Sequence, residues 1–211
     1  MTATPAPDCP LCPRLATFRH ANRVAYPDFH NDPVPSFGPL SARLLVIGLA
    51  PGLKGANRTG RPFTGDYAGD LLYPTLLKFG FATGCYGREA DDGLRLTDCR
   101  ITNAVRCVPP ENKPTGDEAT ICRRFLTAEI AAMPEMQVMV ALGAVAHRAA
   151  LAALGQRQAP WPFAHGALHH LPGGTVLADS YHCSRYNTNT GRLTTAMFES
   201  VFSAIRERLA A

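Results

Sequence analysis

Four short apolar segments along the chain predict buried β-strands. They cover residues 42–51, 98–107, 136–143 and 174–182, and each consists mainly of apolar side chains bounded by turn residues. Continuous apolar runs of this length are typical of strands that are buried on both faces of a parallel sheet. The sequence therefore predicts four strands of this kind.

Amphipathic segments that alternate with these strands predict helices. The pattern favours helices over residues 68–79, 117–132, 144–154 and 194–209, the first of them interrupted by Pro74. Thr115 and Glu118 have the spacing of a capping box at the start of the second helix. Alternating strands and helices predict an α/β fold in which helices cover both faces of a parallel sheet.

Composition limits the class of protein. Of the 211 residues, 46% are hydrophobic and 18% are charged, which is enough apolar material for one domain over residues 1–211. No apolar run is long enough to cross a membrane, and the first residues lack the pattern of a secretory signal. We therefore expect a cytoplasmic monomer without a membrane partner, and the net charge of +4 permits a polyanionic one.

Four of the seven cysteines form a candidate metal site. Cys9 and Cys12 have C-x-x-C spacing, Cys107 ends a predicted strand, and Cys122 lies in the helix that follows. These four thiolates could converge and pin the N-terminal segment, residues 1–40, to the core. Spacing alone allows either zinc or a [4Fe-4S] cluster. We interpret the other three as ordinary buried or loop cysteines, namely Cys85, Cys99 and Cys183.

The carboxyl ends of the predicted strands indicate where a ligand binds, because ligands of open α/β sheets bind outside that edge. The glycine-rich segment after the first strand has neither G-x-x-x-x-G-K-[ST] nor G-x-G-x-x-G spacing, so we predict no nucleotide cofactor. The segment offers Phe63 for stacking and Asp66 as a carboxylate. Together with backbone donors and nearby cations, these groups are typical of a pocket for an extruded nucleobase.

The segment after the last strand adds polar groups at the same edge. His182 could donate a hydrogen bond to a departing anion, and we predict contacts to DNA phosphates from Arg58, Arg61, Ser184, Arg185, Asn187 and Arg192. Three further histidines, at positions 165, 169 and 170, are interpreted as loop or surface residues.

Four motifs give the chain a family resemblance. "GLAPG", "GANRTGRPFTGD", "ITNAVRCVPPENKPT" and "SYHCSRYNTNTGRLT" resemble, in the same order, motifs of the uracil-DNA glycosylase superfamily and closely those of its family 5, the UDGb type. The resemblance runs from Cys9 to the last helix. It implies a three-layer αβα fold with a four-stranded parallel sheet.

The resemblance also implies an activity and assigns residues to it. It implies removal of uracil, and of other deaminated bases such as hypoxanthine, from DNA, with a [4Fe-4S] cluster on Cys9, Cys12, Cys107 and Cys122. By position, Phe63 matches the base-stacking aromatic residue, Asp66 the catalytic carboxylate and His182 the histidine that stabilises the leaving base. Asn112 matches a polar residue that reaches the pocket, and Asn103 matches the uracil-reading asparagine of family 4, which family 5 proteins need not have.

Two departures from the superfamily pattern affect the expected mechanism. The position of the water-activating Asp or Asn reads Leu49-Ala50-Pro51-Gly52, so Asp66 must supply the carboxylate, and Cys183 stands where relatives usually carry an apolar residue. We expect the backbone of Gly48, Ala50, Pro51 and Gly52 to hold the base, since side chains there would occupy the space of the base. No lysine in the motifs is an evident Schiff-base nucleophile, so we expect excision without strand cleavage. The alternative is an iron-sulfur protein that binds DNA without chemistry.

Overall fold

The computed structural model describes residues 4–210, which form seven strands, seven α-helices and one 3₁₀ turn. The strands are β1 (Leu44–Gly48), β2 (Ala82–Thr83), β3 (Arg95–Leu96), β4 (Cys99–Asn103), β5 (Val138–Leu142), β6 (Leu168–His170) and β7 (Val176–Ser180). The helices are α1 (Pro13–Ala25), α2 (Ala56–Thr59), α3 (Gly69–Lys78), α4 (Gly116–Ala131), α5 (Ala144–Ala153), α6 (Arg185–Asn189) and α7 (Thr195–Ala210), with the 3₁₀ turn at Pro110–Asn112.

The central sheet has five strands in the order β4-β1-β5-β7-β6. The four predicted strands are present, shorter than expected at their ends, and they pair in parallel. The fifth strand, β6, pairs antiparallel to β7 at the edge, so the expectation of a four-stranded sheet was incomplete. Its three residues are half-buried or exposed, so β6 lacks the continuous apolar run from which the other four strands were predicted.

Helices cover both faces of this sheet, as the alternation predicted. Along β1, Leu44 and Val46 pack in one core with residues of α3 and α7, whereas Leu45 and Ile47 pack in a second core with residues of α4 and α5. Successive side chains of a strand point to opposite faces, so this division defines three layers. The fold is the predicted three-layer αβα arrangement.

All four predicted helices are present within two residues of their expected ends. The capping box is confirmed: the Thr115 side chain accepts a hydrogen bond from the Glu118 backbone N–H, and the Glu118 carboxylate accepts one from the Thr115 N–H. Three helices were not predicted, namely α1, α2 and α6. The last two have four and five residues, too short for a helical period to show in the sequence.

The N-terminal segment is held to the core by apolar and ionic contacts. Leu15 of α1 packs in a small cluster with Val105 and Phe125, and Arg14 donates to both carboxylate oxygens of Glu118 at 2.8 Å. Farther along, Phe37 forms an isolated antiparallel bridge with Ile101 of β4. In the described part of the chain, no helix has the length and apolarity that a membrane span requires.

Candidate active site

A cavity of about 710 Å³ opens at the carboxyl edge of the sheet, between the segments that follow β1, β4 and β7. Its walls bring together nine of the predicted site residues, namely Ala50, Gly52, Phe63, Asp66, Asn103, Asn112, His182, Ser184 and Arg185. Because these residues come from four separate segments, the fold itself assembles the site. Gly48, Pro51, Arg58, Arg61, Asn187 and Arg192 are not in its lining.

Gly48 ends β1 beneath the cavity, where strand register places it beside Asn103 of β4. A Cβ atom at Gly48 would collide with Oδ1 of Asn103 and would lie 2.5 Å from Cζ of Phe63. The absence of a side chain at Gly48 therefore allows the amide and the aromatic ring to reach the cavity wall.

The carboxylate of Asp66 occupies the space that side chains at Gly52 and Gly55 would need. Its Oδ2 accepts a hydrogen bond from the Ala56 N–H at 3.2 Å. Burial raises the pKa of Asp66, and the backbone amides of Ala56 and Gly52 partly oppose that rise. The expectation that a side chain at Gly52 would occupy the space of the base is therefore corrected, because the Asp66 carboxylate takes that space.

Phe63 is held at the cavity wall in an unusual backbone conformation. It is 6% exposed and has φ = +60°, a left-handed conformation that costs free energy in a bulky residue. A buried network surrounds this turn: the Arg61 Nε donates to Oγ1 of Thr64 at 2.6 Å, and the Tyr73 hydroxyl donates to the carbonyl of Pro62. The network fixes the ring of Phe63 in place.

The predicted phosphate contact of Arg61 is wrong. Arg61 is 4% exposed and its guanidinium donates to both carboxylate oxygens of Asp92, at 2.8 and 2.7 Å. The guanidinium also lies 5.2 Å from the ring centroid of Phe37 and 5.3 Å from that of Tyr73. It lowers the pKa of Asp92 to about 2. Arg61 is a structural residue, and residue type alone could not distinguish it from the exposed arginines nearby.

His182 lies just beyond the end of β7, on the cavity wall beside Phe63. The two ring centroids are 6.2 Å apart with 28° between the ring planes. Burial lowers the pKa of His182 to about 4, so its imidazole is neutral near pH 7. The side-chain amide of Asn187 donates to the carbonyl of His182 at 2.8 Å. Asn187 thus supports the backbone at His182 with one of its two amide N–H groups.

Asn112 reaches the cavity from the 3₁₀ turn between Cys107 and Cys122. Both Glu111 and Asn112 have positive φ, +55° and +58°, which asparagine tolerates better than most residues. Asn112 is itself exposed. A polar side chain on a tightly turned loop is thus presented at the rim of the cavity.

Of the remaining residues predicted to contact DNA, Ser184 and Arg185 line the cavity, whereas Arg58 and Arg192 do not. Arg185 lies 5.2 Å from the ring centroid of Tyr67, and Arg192 lies 4.6 Å from that of Tyr181. Ser184 caps α6 by accepting the Asn187 N–H. Arg58 is a third exposed and forms an ion pair with Glu89 at 2.8 Å, so a phosphate would have to compete with that carboxylate.

Sequence reasoning missed five cavity residues. They are Leu49, Leu53, Lys54, Tyr67 and Ala68, all within the glycine-rich segment or directly after β1. Lys54 changes one expectation, because a lysine does reach this cavity. Lys54 is exposed rather than desolvated. Its position two residues after the motif "GLAPG" was the signal that could have indicated its place in the cavity lining.

A buried histidine pair lies apart from the cavity and corrects another interpretation. His169 was expected in a loop or at the surface, yet it belongs to β6, and its Nε2 lies 3.0 Å from Oδ2 of the buried Asp179. His147 Nδ1 lies 2.7 Å from the other Asp179 oxygen, and its Nε2 donates to the Trp161 carbonyl at 2.8 Å. Since both His147 nitrogens already have partners, we interpret the cluster as a structural link between α5, β6 and β7.

The four cysteines predicted as ligands line one small pocket beside α1. Arg19 of α1 is 2% exposed there, and it donates from Nη1 to the sulfur of Cys107 at 3.5 Å and from Nη2 to the carbonyl of Cys9 at 3.0 Å. Its Nε is buried and has no hydrogen-bond partner among the described residues. Cys107 and Cys122 are buried, and Cys9 and Cys12 are half-buried.

The fold and the cavity agree with comparison to known families. Residues 35–206 match the family model described as the uracil DNA glycosylase superfamily. The chain belongs to the uracil-DNA glycosylase superfamily.

Individual relatives define the branch within that superfamily. The chain is 48% identical to the type-5 uracil-DNA glycosylase of Thermus thermophilus, over 92% of this chain and 90% of the relative. It is 42% identical to the type-5 enzyme of Mycobacterium tuberculosis, over 92% of this chain and 75% of the relative. A type-4 uracil-DNA glycosylase of Thermotoga maritima is 37% identical over 65% of this chain and 58% of the relative. These values support the type-5 group for this chain.

Proposed function

We propose that this protein hydrolyses the N-glycosidic bond of uracil in DNA. The observation that carries this proposal is the single cavity in which Asp66, His182 and Phe63 meet at the carboxyl edge of the sheet. The relatives that cover most of the chain bear the name uracil-DNA glycosylase. A carboxylate, a neutral histidine and an aromatic ring are the groups that such a reaction requires.

Asp66 acts on the sugar side of the reaction. As the bond between C1′ and the base breaks, positive charge grows on the sugar, and a nearby carboxylate stabilises that charge. The same carboxylate orients a water molecule for attack on C1′. The Asp66 carboxylate packs against the backbone of Gly52 and Gly55 and accepts the Ala56 N–H, and this placement reduces the reorganisation needed when charge develops.

His182 acts on the base side. The departing uracil carries negative charge, and the N–H of a neutral imidazole can donate a hydrogen bond to it. Phe63 stacks on the extruded base, and Asn103 and Asn112 offer amide groups to its polar edge. Asp66 and His182 lie on separate segments, after β1 and after β7, so separate groups stabilise the two charges that develop as the bond breaks.

The enzyme excises the base without cutting the strand. A Schiff-base lysine must be desolvated or placed beside another cation in order to be a nucleophile at neutral pH. Lys54, the lysine in the cavity lining, is exposed to solvent. It is suited to a phosphate contact rather than to covalent catalysis.

Other deaminated bases are also substrates. The cavity volume of about 710 Å³ exceeds what a pyrimidine needs, and its lining is predominantly apolar. Hypoxanthine presents a carbonyl at the same edge of the ring as uracil, so the same amides can recognise it. A pocket of this size and character favours tolerance over strict selection.

Cys9, Cys12, Cys107 and Cys122 hold a [4Fe-4S] cluster. The four cysteines line one pocket, in which Cys107 and Cys122 are buried and Cys9 and Cys12 are half-buried. They supply the four thiolates that such a cluster requires.

Arg19 supports an anionic group at this site. Its guanidinium is buried beside two of the cysteines, and its unpartnered Nε requires an acceptor. A cluster held by four thiolates supplies both negative charge and acceptor sulfurs. When bound, it serves as a structural crosslink. Arg19 balances its charge, and the loop between Cys107 and Cys122 carries Asn112 to the active site.

The activity is tested by incubating anaerobically purified protein with labelled duplexes that contain uracil, hypoxanthine or only normal bases. Alkali then reveals abasic sites. We expect cleavage at uracil and hypoxanthine only after alkali. Abasic sites with none of the duplexes, despite tight DNA binding, would favour the alternative of an iron-sulfur DNA-binding protein without chemistry.

A further inference from the structure

A second groove leaves the catalytic cavity and runs between α4 and α5. Its volume is about 510 Å³, and it shares Leu49 and Asn112 with the catalytic cavity. One wall is the N-terminal half of α4 with the residues just before it, and the other wall is α5 with the segment after it. The two spaces are therefore continuous at the carboxyl edge of the sheet.

The groove is cationic. Lys113, Arg123 and Arg148 line it, and none of the described residues in its lining is acidic. Arg123 donates a hydrogen bond to Oγ1 of Thr120 at 3.2 Å, and neither Arg123 nor Arg148 has a carboxylate within ion-pair distance in the described part of the chain. Lys113 has a loose pair with Glu111 at 3.5 Å, with both side chains about 80% exposed. These cations are therefore available to an anionic partner.

The remaining lining suits a nucleic acid strand. Val145, Ala149 and Ala152 form an apolar floor on the α5 side, and Gln156 and Gln158 offer amide groups at the far end. Sugars and bases can pack against such a floor while phosphates meet the cations at the rim. A strand that inserts one base into the cavity must carry its neighbouring phosphates away from the cavity mouth, and this groove begins there.

We propose that the groove between α4 and α5 binds the phosphates of the DNA strand that flanks the damaged nucleotide. The proposal rests on the proposed function and extends it. It adds DNA contacts on α4 and α5, which carry none of the residues that the sequence predicted to bind DNA. Arg123 and Arg148 each neutralise one phosphate, and Lys113 binds beside Asn112 at the junction with the cavity.

The test compares two double variants that remove the same charge. Arg123→Gln with Arg148→Gln removes two groove cations. Lys78→Gln with Arg208→Gln removes two cations of α3 and α7, neither of which lines the groove or the catalytic cavity. Binding of a fluorescent duplex with one tetrahydrofuran abasic site is measured by anisotropy between about 50 and 200 mM salt.

Each lost phosphate contact reduces the slope of log K against log salt by about 0.9. We expect the groove variant to lose between about one and two units of slope and at least about tenfold in affinity at the lower salt concentration. The control variant should keep the parent slope. Equal slopes for the groove variant and the parent would overturn the proposal. That outcome is distinct from failure of the proposed function, which would show as absence of uracil excision by the parent.

Discussion

The carboxylate of Asp66 fills the space above Gly55, so that a Cβ atom at Gly55 would overlap the carboxylate carbon and both oxygens. Since the Asp66 carboxylate also accepts a backbone N–H from Ala56, its position is defined from two sides. The position of the Asp66 carboxylate, and with it the catalytic role that we propose for Asp66, therefore depends on a residue that carries no functional group.

Gly55→Ala should displace Asp66 and reduce single-turnover excision of uracil by about 100-fold, the usual cost of moving a positioned catalytic group. The double variant with Asp66→Ala should lose little more than Asp66→Ala alone, because both changes remove the same group. A double-mutant cycle measures this coupling. Additive losses would show that Gly55 acts independently of Asp66.

Arg61→Met should destabilise the protein by about 3 to 5 kcal/mol, because it leaves Asp92 buried without its cation. Urea unfolding gives the free energy. Because Arg61 is buried, the salt dependence of DNA binding should stay at the parent value, whereas Arg185→Gln should reduce it. A weaker salt dependence of DNA binding in Arg61→Met than in the parent would show that Arg61 does contact a DNA phosphate.

The same ion pair predicts how stability depends on acid pH. The pKa of Asp92 is about 2 in the folded protein and about 3.9 in the unfolded chain, so its contribution is present above pH 4 and is lost as pH falls through about 2. The Arg61→Met variant should lack this part of the loss of folding stability at acid pH. Parallel stability curves for parent and variant would contradict the pairing.

His182 predicts a flat pH profile in the neutral range. Because burial lowers its pKa to about 4, its charge should not change near pH 6.5, where an unperturbed histidine titrates. The single-turnover rate should then be constant from about pH 6 to 8 and fall only at more acidic pH, where Asp66 with its raised pKa takes up a proton. An inflection near pH 6.5 that disappears in His182→Gln would show that the imidazole is exposed to solvent.

Lys54→Met tests whether excision proceeds without a lysine nucleophile. Removal of one exposed cation should weaken DNA binding modestly and leave base release intact, and borohydride should trap no covalent complex with the parent. The readout is denaturing electrophoresis of labelled DNA after borohydride treatment. A trapped adduct that disappears in Lys54→Met would identify Lys54 as the nucleophile.

Arg19→Gln should weaken retention of the iron-sulfur cluster that we propose, because it removes the buried positive charge beside Cys107 and Cys9. Visible absorbance and iron content after exposure to air measure retention without reference to activity. Arg95→Gln is a control for the loss of one positive charge, since Arg95 is exposed on β3 and lies outside the cysteine pocket. Equal retention in both variants would remove Arg19 from the support of the cluster.

The sequence predicted the layered fold because its strands are buried on both faces and leave continuous apolar runs. It missed β6, whose three residues are half-buried or exposed, and it could not show the burial of Arg61, because that burial depends on the distant Asp92 and Phe37. Candidate groups at the carboxyl ends of strands were found from topology. The fit of Asp66 above Gly52 and Gly55 depends on loop geometry that residue type does not encode.

The most direct test of the central claim is the single-turnover rate of uracil excision by Asp66→Ala and by His182→Ala, measured beside their affinity for DNA with a tetrahydrofuran site. We predict that each variant loses about 100-fold or more in rate and keeps its DNA affinity, because each lacks a group that acts mainly in the transition state. A near-normal rate in either variant would contradict the assignment of that residue, and near-normal rates in both would show that the cavity is not the catalytic site.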